Sequence, residues 1–178
     1  MRIYQAEHDN NPPGFPYIVK HHWHEQIEII YLEQDSYQVD INMTVTHVKS
    51  PCFCFINSGE LHALSSDSEK YLEQAVVFSA DMLAFSVPDP VQEEFLLPLS
   101  EQKLSFTSFL GYEHPAFNEV QQEFLKIRST FRKENRICMD QLTIENPVSQ
   151  LRIKAALLNI LAILSEHGLL TSNEPAHN

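Results

Sequence analysis

Glycine is scarce in this chain of 178 residues: there are four, and none is spaced to form a GxGxxG fingerprint, a Walker loop or a GxSxG elbow. That shortage removes the usual ways of cradling a nucleotide phosphate or exposing a nucleophilic serine. Cysteine is equally thin. Cys52, Cys54 and Cys138 are an odd set of three that builds no disulfide framework. Cys52 and Cys54 share a strand face and are badly placed to bridge each other, so reduced thiols and a cytoplasmic setting are expected. Basic residues are few as well, 12 Lys and Arg against 24 Asp and Glu, for a net charge of −12. The deficit sits in residues 1–100, with 4 basic and 15 acidic side chains, whereas residues 101–178 hold 8 and 9. A surface this acidic repels phosphate backbones, so the chain alone is expected to bind nucleic acid poorly. The first residues contain no apolar signal core and the longest apolar runs fall short of a membrane span, so neither secretion nor a membrane partner is expected.

What the chain does have is strand-type patterning followed by helix-type patterning. Residues 1–14 are polar, end in Asn11-Pro12-Pro13-Gly14 and read as a flexible N-terminal arm. From Tyr17 to Phe78 short β-type runs alternate with turns at Glu33-Gln34-Asp35, Asn42-Met43, Asn57-Ser58-Gly59 and Ser65-Ser66-Asp67-Ser68. Six or more strands at that spacing predict a barrel or sandwich over residues 15–85.

Residues 86–178 are expected to form an α-helical region. Pro115 fits a first helical turn, and Phe117, Val120, Phe124, Ile127 and Phe131 make one apolar stripe over 115–134. A second helix is expected from Pro147 to His167, stopped by Gly168. It carries two stripes. One is Leu151, Ala155, Leu158 and Ala162; the other is Ile153, Leu157, Ile160, Leu161 and Leu164. A helix apolar on two sides is covered on two sides, and a second subunit is the natural cover for one of them. Leu157 and Leu161 are the expected dimer contacts.

The chemistry-bearing residues cluster early. On a regular strand His22, His24 and Glu28 point to one face, Gln26 shares their parity, and His62 follows a turn that can bring its strand alongside. Imidazoles plus a carboxylate form a mixed N/O set suited to Zn, Mn, Fe, Ni or Cu, and the same groups can hydrogen-bond a small molecule. His22, His24, Gln26, Glu28 and His62 are therefore the candidate ligand-binding residues, with His22, His24, Glu28 and His62 the candidate metal ligands. No catalytic residue is assigned. His24-Glu25-x-x-Glu28 is not read as a helical HExxH zinc site, since its last residue is Glu and its context is strand. His21 and Trp23 have the opposite parity and are expected to face outward or into a second layer, with Trp23 read as a packing residue, and His47 is expected to lie on an exposed strand. Cys52 and Cys54 are read as buried small hydrophobes. Lys126, Arg128, Arg132, Lys133 and Arg136 are read as a solvated helix face.

The segment His22-Trp23-His24-Glu25-Gln26-Ile27-Glu28 resembles the first cupin motif, and Asn57-Ser58-Gly59-Glu60-Leu61-His62 resembles the second. The form is that of the sensor domains of AraC-type transcription regulators, as is the order arm, barrel, two helices over roughly residues 15–168. Asp35 stands where that motif usually has Gly, Ser58 where it has Pro, and Ser66 where enzymatic cupins often have Asn. The resemblance implies a mainly β fold, a cupin-type double-stranded β-helix (jelly-roll barrel), followed by an α-helical dimerisation element. It also implies a homodimer that binds a small-molecule effector and reaches DNA only through an appended helix-turn-helix module outside this chain. A sugar or an aromatic acid would suit the histidines, the carboxylate and the nearby Tyr31, Phe53 and Phe55. The alternative is a stand-alone metal-dependent cupin enzyme, a dioxygenase or isomerase.

Overall fold

The computed structural model describes residues 2–7, 17–68, 71–133 and 146–173, and the side chains of 17–68, 71–130 and 146–173. Eight strands come first: β1 (Arg2–Glu7), β2 (Tyr17–His22), β3 (Ile27–Glu33), β4 (Ser36–Ile41), β5 (Thr44–Lys49), β6 (Cys52–Ile56), β7 (His62–Ser66) and β8 (Leu72–Phe78). Then follow a 3₁₀ turn (Ala80–Leu83), a π turn (Gln92–Leu96), α1 (Leu97–Ser100), β9 (Leu104–Phe106), β10 (Phe109–Gly111), α2 (Phe117–Lys133), α3 (Pro147–Glu166) and β11 (Leu170–Ser172).

The strands form two antiparallel sheets, β1-β8-β3-β6-β10 and β2-β7-β4-β5, with a small β11-β9 ribbon beside them. This architecture fits the expected cupin-type jelly roll, laid out as two packed sheets rather than a closed barrel. The first sheet is covered on both faces, and that is why β3 and β6 read as unbroken apolar runs rather than alternating ones. Ile30, Leu32, Cys52, Cys54 and Ala75 meet Tyr37, Val39 and Leu64 of the second sheet in one core. Ile29, Tyr31, Phe53 and Phe55 face the other way, against Phe117, Phe124, Leu157 and Leu164 of α2 and α3. The second sheet buries one face only, so β4 and β7 alternate.

Local chemistry sets the turns. Gln34 and Asp35 have φ of 67° and 61°, and Asn42 and Met43 have φ of 51° and 67°. Two left-handed residues in a row make the two-residue hairpin loop whose twist matches the strands, so Asp35 fills the place of glycine there. Asn146 caps α3 by accepting from the N–H groups of Val148 (2.9 Å) and Ser149 (3.4 Å). At the other end Gly168, at φ 67°, closes the helix while Leu169 donates to the Leu164 carbonyl at 2.8 Å.

Four expectations need correction. Arg2–Glu7 is not part of a loose arm but pairs with β8 from Leu72 to Val77, supplying partners to an otherwise open sheet edge. Residues beyond 85 are not all helical: β10 joins the first sheet against β6, because a short strand serves there as the edge. Leu157 and Leu161 are 2% and 5% exposed and belong to the internal core, so they cannot be the dimer contacts. Finally, α3 does reach a mean hydropathy of 1.4, enough by length and composition alone to cross a bilayer, although six of its side chains are buried in the domain. The expectations on Cys138 and Arg136 lie outside the described residues, as do the side chains of Phe131, Arg132 and Lys133.

Candidate functional site: a histidine–glutamate cluster

His22, His24 and Glu28 do converge, but not by strand parity. His22 ends β2 in one sheet, His24 lies in the connecting loop, and Glu28 is the second residue of β3 in the other sheet. The register between β2 and β7 slips: Val19 pairs with Leu64, yet His22 pairs with His62. Three steps on one strand match two on the other, which is a β-bulge. The bulge turns the even-numbered His22 to the face that odd-numbered Val19 occupies. His21 is left outside, 2.9 Å from Asp40.

The turn before β7 is built to hold this loop. Gly59 adopts φ +80° and donates to the His24 carbonyl at 2.9 Å, while Ser58 Oγ donates to the Glu25 carbonyl at 2.8 Å. Glu60 closes the turn by accepting from the Asn57 N–H at 2.7 Å. Asn57 in turn pairs both ways with the Phe106 backbone, at 2.8 and 3.1 Å.

One ligand atom from each of His22, His24, Glu28 and His62 falls within 4.8 Å of all the others. The His62 ring lies 4.1 Å from that of His22 and 5.1 Å from that of His24. His24 Nε2 is hydrogen-bonded to Glu28 Oε2 at 3.2 Å, and His62 Nε2 approaches the same oxygen at 3.2 Å without forming a hydrogen bond. In all three imidazoles Nδ1 sits 2.9 Å from a main-chain carbonyl: Lys20 for His22, Gln26 for His24 and Glu60 for His62. A carbonyl only accepts, so each Nδ1 carries the proton and each Nε2 is directed at the cluster. This is the outer-shell arrangement that presents imidazoles to a metal.

The electrostatics agree. Burial alone would raise the Glu28 carboxyl, but its pairing with His24 and His62 outweighs that and holds it at about 2. Donating that hydrogen bond to the Glu28 carboxylate raises His24 above its ordinary value, against an opposing effect of burial. The fit to a divalent ion rests on His62: its Nε2 is buried, has no hydrogen-bond partner and points at a carboxylate and two further imidazoles. A buried imidazole nitrogen left in that state calls for a further partner. Glu28 and His62 are buried, His24 is half-buried and His22 is exposed, so the cluster opens to solvent on the His22 side.

Other expected residues fare differently. Gln26 contributes its carbonyl to His24, and no contact places its side-chain amide in the cluster. Tyr31, Phe53 and Phe55 face the helices rather than the site, because their parity on β3 and β6 is opposite to that of Glu28. His47 is exposed and Cys52 and Cys54 are buried, as expected, whereas Trp23 is exposed instead of packing. Glu25 and Glu28 lie in loop and strand, which removes the helical HExxH geometry. An open groove of about 560 Å³ over Ile18, Lys20, Asp40 and Val45, on the outer face of the second sheet, includes none of the four. The carbonyls of Lys20, Gln26 and Glu60 were not foreseeable from residue types, since main-chain acceptors carry no sequence signal.

No family model and no curated protein matches the chain. Solved structures do. One described as a predicted oxalate decarboxylase from Thermotoga maritima is 27% identical over 43% of this chain and 64% of its own, with a TM-score of 0.36. An RmlC-like cupin from Shewanella frigidimarina is 12% identical over 34% and 54%, with a TM-score of 0.32. The E162A mutant of the Bacillus subtilis oxalate decarboxylase is 26% identical over 39% and 20%, with a TM-score of 0.33. The chain thus spans less than two thirds of each of these proteins, and the likenesses are partial.

Proposed function

We propose that this chain is the effector-sensing region of an AraC-type regulator, with a divalent transition metal held by His22, His24, Glu28 and His62 where a small-molecule effector would bind. The observation that carries the proposal is the set of three imidazoles, each fixed through Nδ1 to a carbonyl and gathered around one carboxylate, which His24 and His62 approach through Nε2. A bound ion would supply a Lewis-acidic anchor for a carboxylate, carbonyl or hydroxyl oxygen of the effector. Glu28, ionised above a pH of about 2, contributes the one negative charge of the donor set. His22 leaves the cluster open to an entering ligand.

The sensor reading draws support from β3. Glu28 faces the cluster, while Ile27, Ile29 and Tyr31 on the opposite face pack on the helical layer. The Tyr31 hydroxyl accepts from Gln121 of α2 at 2.6 Å. A ligand that displaces β3 therefore acts directly on the helices, and it shifts only the states it binds unequally. In this reading two copies assemble through the helical region, and DNA contact belongs to a module outside this chain.

The exposure of His22 also favours a second reading, a metal-dependent enzyme whose substrate enters on that side. Elemental analysis of protein purified without affinity-column nickel tests the shared premise: about one equivalent of metal, lost in His62→Ala, is expected. Small molecules that raise the melting temperature of the loaded protein then separate the readings. Recovery of the compound unchanged by NMR supports the sensor, and its conversion overturns that reading in favour of the enzyme.

A further inference from the structure

The groove of about 560 Å³ on the outer face of the second sheet is a product of strand register. Val19 pairs with Leu64 and His22 with His62, so the bulge leaves two outward residues, Lys20 and His21, beside the single position of Ala63. On the other side of β7, Asp40 pairs with Ala63 and Gln38 with Ser65. The outward residues of β7 here, Ala63 and Ser65, are small, and longer side chains stand on both neighbouring strands. A trough therefore runs along β7, with the volume of a small-molecule site.

Two charged groups lining it are incompletely matched. Asp40 Oδ2 accepts from His21 Nε2 at 2.9 Å, but Oδ1 of the same carboxylate is buried and has no hydrogen-bond partner. A buried carboxylate oxygen in that state calls for a donor. Across Ala63, the exposed Lys20 ammonium pairs with no carboxylate among the described residues. Neighbouring strands lie about 5 Å apart, so the backbones of β2 and β4 stand about 10 Å from each other. The flexible stem of lysine can close most of that span, leaving room for one small group between the two charges.

We infer that this groove binds an α-amino acid with an apolar side chain. The ammonium of the ligand displaces the His21 ring and donates to both oxygens of Asp40, while its carboxylate pairs with Lys20. Both protein charges lie in one row of the sheet, so the ligand carries its own pair on a single carbon, as an α-amino acid does. Ile18 and Val45, 59% and 54% exposed, border the groove and offer apolar surface to the ligand's side chain. The charge of the chain acts as a filter: at −12 it repels a simple carboxylate, whereas an amino acid is neutral overall. The groove shares no side chain with the histidine cluster and stands apart from the sensor reading, so either can fail without the other.

Titration of the chelator-treated 178-residue chain with L-leucine, followed by the amide NMR shifts of Ala63 and Ser65, tests the assignment. Removing metal keeps the amino acid from chelating at the cluster. Saturation with a dissociation constant below about 1 mM is expected. Of two analogues, 4-methylpentanoate lacks the amine and 3-methylbutylamine lacks the carboxylate, and each should bind about tenfold more weakly. Asp40→Asn should weaken leucine about tenfold with 4-methylpentanoate no weaker than before, and Lys20→Gln should weaken leucine about tenfold with 3-methylbutylamine no weaker. Far-ultraviolet circular dichroism checks that both variants keep the fold. Shifts that do not saturate, equal affinity for leucine and either analogue, or leucine binding indifferent to both substitutions would overturn the assignment. So would binding that appears only after zinc is added, which would place the amino acid at the cluster. Tighter binding of trileucine than of leucine would also overturn it, making an extended peptide the occupant.

Discussion

His22 stands opposite His62 across β2 and β7, their rings 4.1 Å apart, although Val19, three residues earlier, stands opposite Leu64. One extra residue on β2 is what admits His22 to the cluster. The site is thus assembled from two sheets and the loop between them, and no single strand supplies its donors. The geometry of a site held this way depends on how the two sheets sit relative to each other.

Loading the cluster with metal should be visible as stability. A ligand at one hundred times its dissociation constant stabilises the folded state by about 2.7 kcal/mol, which for a chain of this size raises the melting temperature by roughly 5 to 10 °C. Chelator-treated protein should gain that increment on adding Zn or Mn, and His62→Ala should gain none. An equal gain in His62→Ala would place the metal elsewhere.

Trp23 offers an optical check, being the chain's one tryptophan. It lies between two of the ligands and is 64% exposed, so its indole senses the loop without helping to pack the core. Titration with Cu(II) should quench its emission in step with binding, and His24→Ala should weaken that response at least tenfold. Quenching that persists unchanged in the variant would mean ordinary collisional contact.

Much of the fold was legible in the residues, and the reasons are specific. The hairpin turns at Gln34-Asp35 and Asn42-Met43, the stripe on α2 from Phe117 to Ile127, and both ends of α3 follow from turn, periodicity and capping chemistry. His22, His24, Glu28 and His62 were also legible as a set, yet the reason first given for their convergence was wrong. Parity along one strand cannot foresee a bulge or a change of sheet. Pairing of Arg2–Glu7 with β8, and of β10 with β6, depends on which edges are left open by the rest of the fold, and that information is not local. The same holds for Leu157. An apolar stripe announces burial but does not say against what.

The turn that delivers His62 should be sensitive at Asn57. Its side chain exchanges hydrogen bonds with both the N–H and the carbonyl of Phe106, which tether the turn to β9. Asn57→Ala leaves two backbone groups without those partners, a loss of about 1 to 3 kcal/mol by urea denaturation. Metal affinity should fall as well, since His62 follows the turn. A drop in stability under about 0.5 kcal/mol would show that water replaces the amide.

The two stripes of α3 should separate cleanly by truncation. Leu157→Ala removes a side chain that is 2% exposed and should cost about 2 to 5 kcal/mol. Leu151→Ala should cost less than about 1 kcal/mol in the monomer, because that side chain is largely in water. Unfolding monitored at low protein concentration, where assembly does not contribute, distinguishes them. Equal losses would mean that the helix is seated differently from its position here.

Glu73 should give the protein a pH dependence of unusual sign. It lies between the sheets beside Leu32, with the Tyr17 hydroxyl donating to it, and the Tyr17 ring is stacked on Tyr71 at 4.3 Å. Burial pushes its carboxyl up to about 7, from 4.5 when exposed. The folded state therefore holds this proton more tightly than the unfolded state does. Its contribution to stability is complete below a pH of about 4.5 and is lost as the pH rises through about 7, a change of up to about 3 kcal/mol. Glu28 behaves in the opposite sense: held at about 2, its contribution is complete above about 4.5 and fades only as the pH falls toward 2, so the two windows do not overlap. Glu73→Gln keeps an acceptor for Tyr17 and removes the titration. The stability difference between this variant and the parent should be small near a pH of 4.5, then grow in the variant's favour up to about 7 and level off. A difference that stays constant over that range would show that Glu73 titrates as an exposed carboxylate.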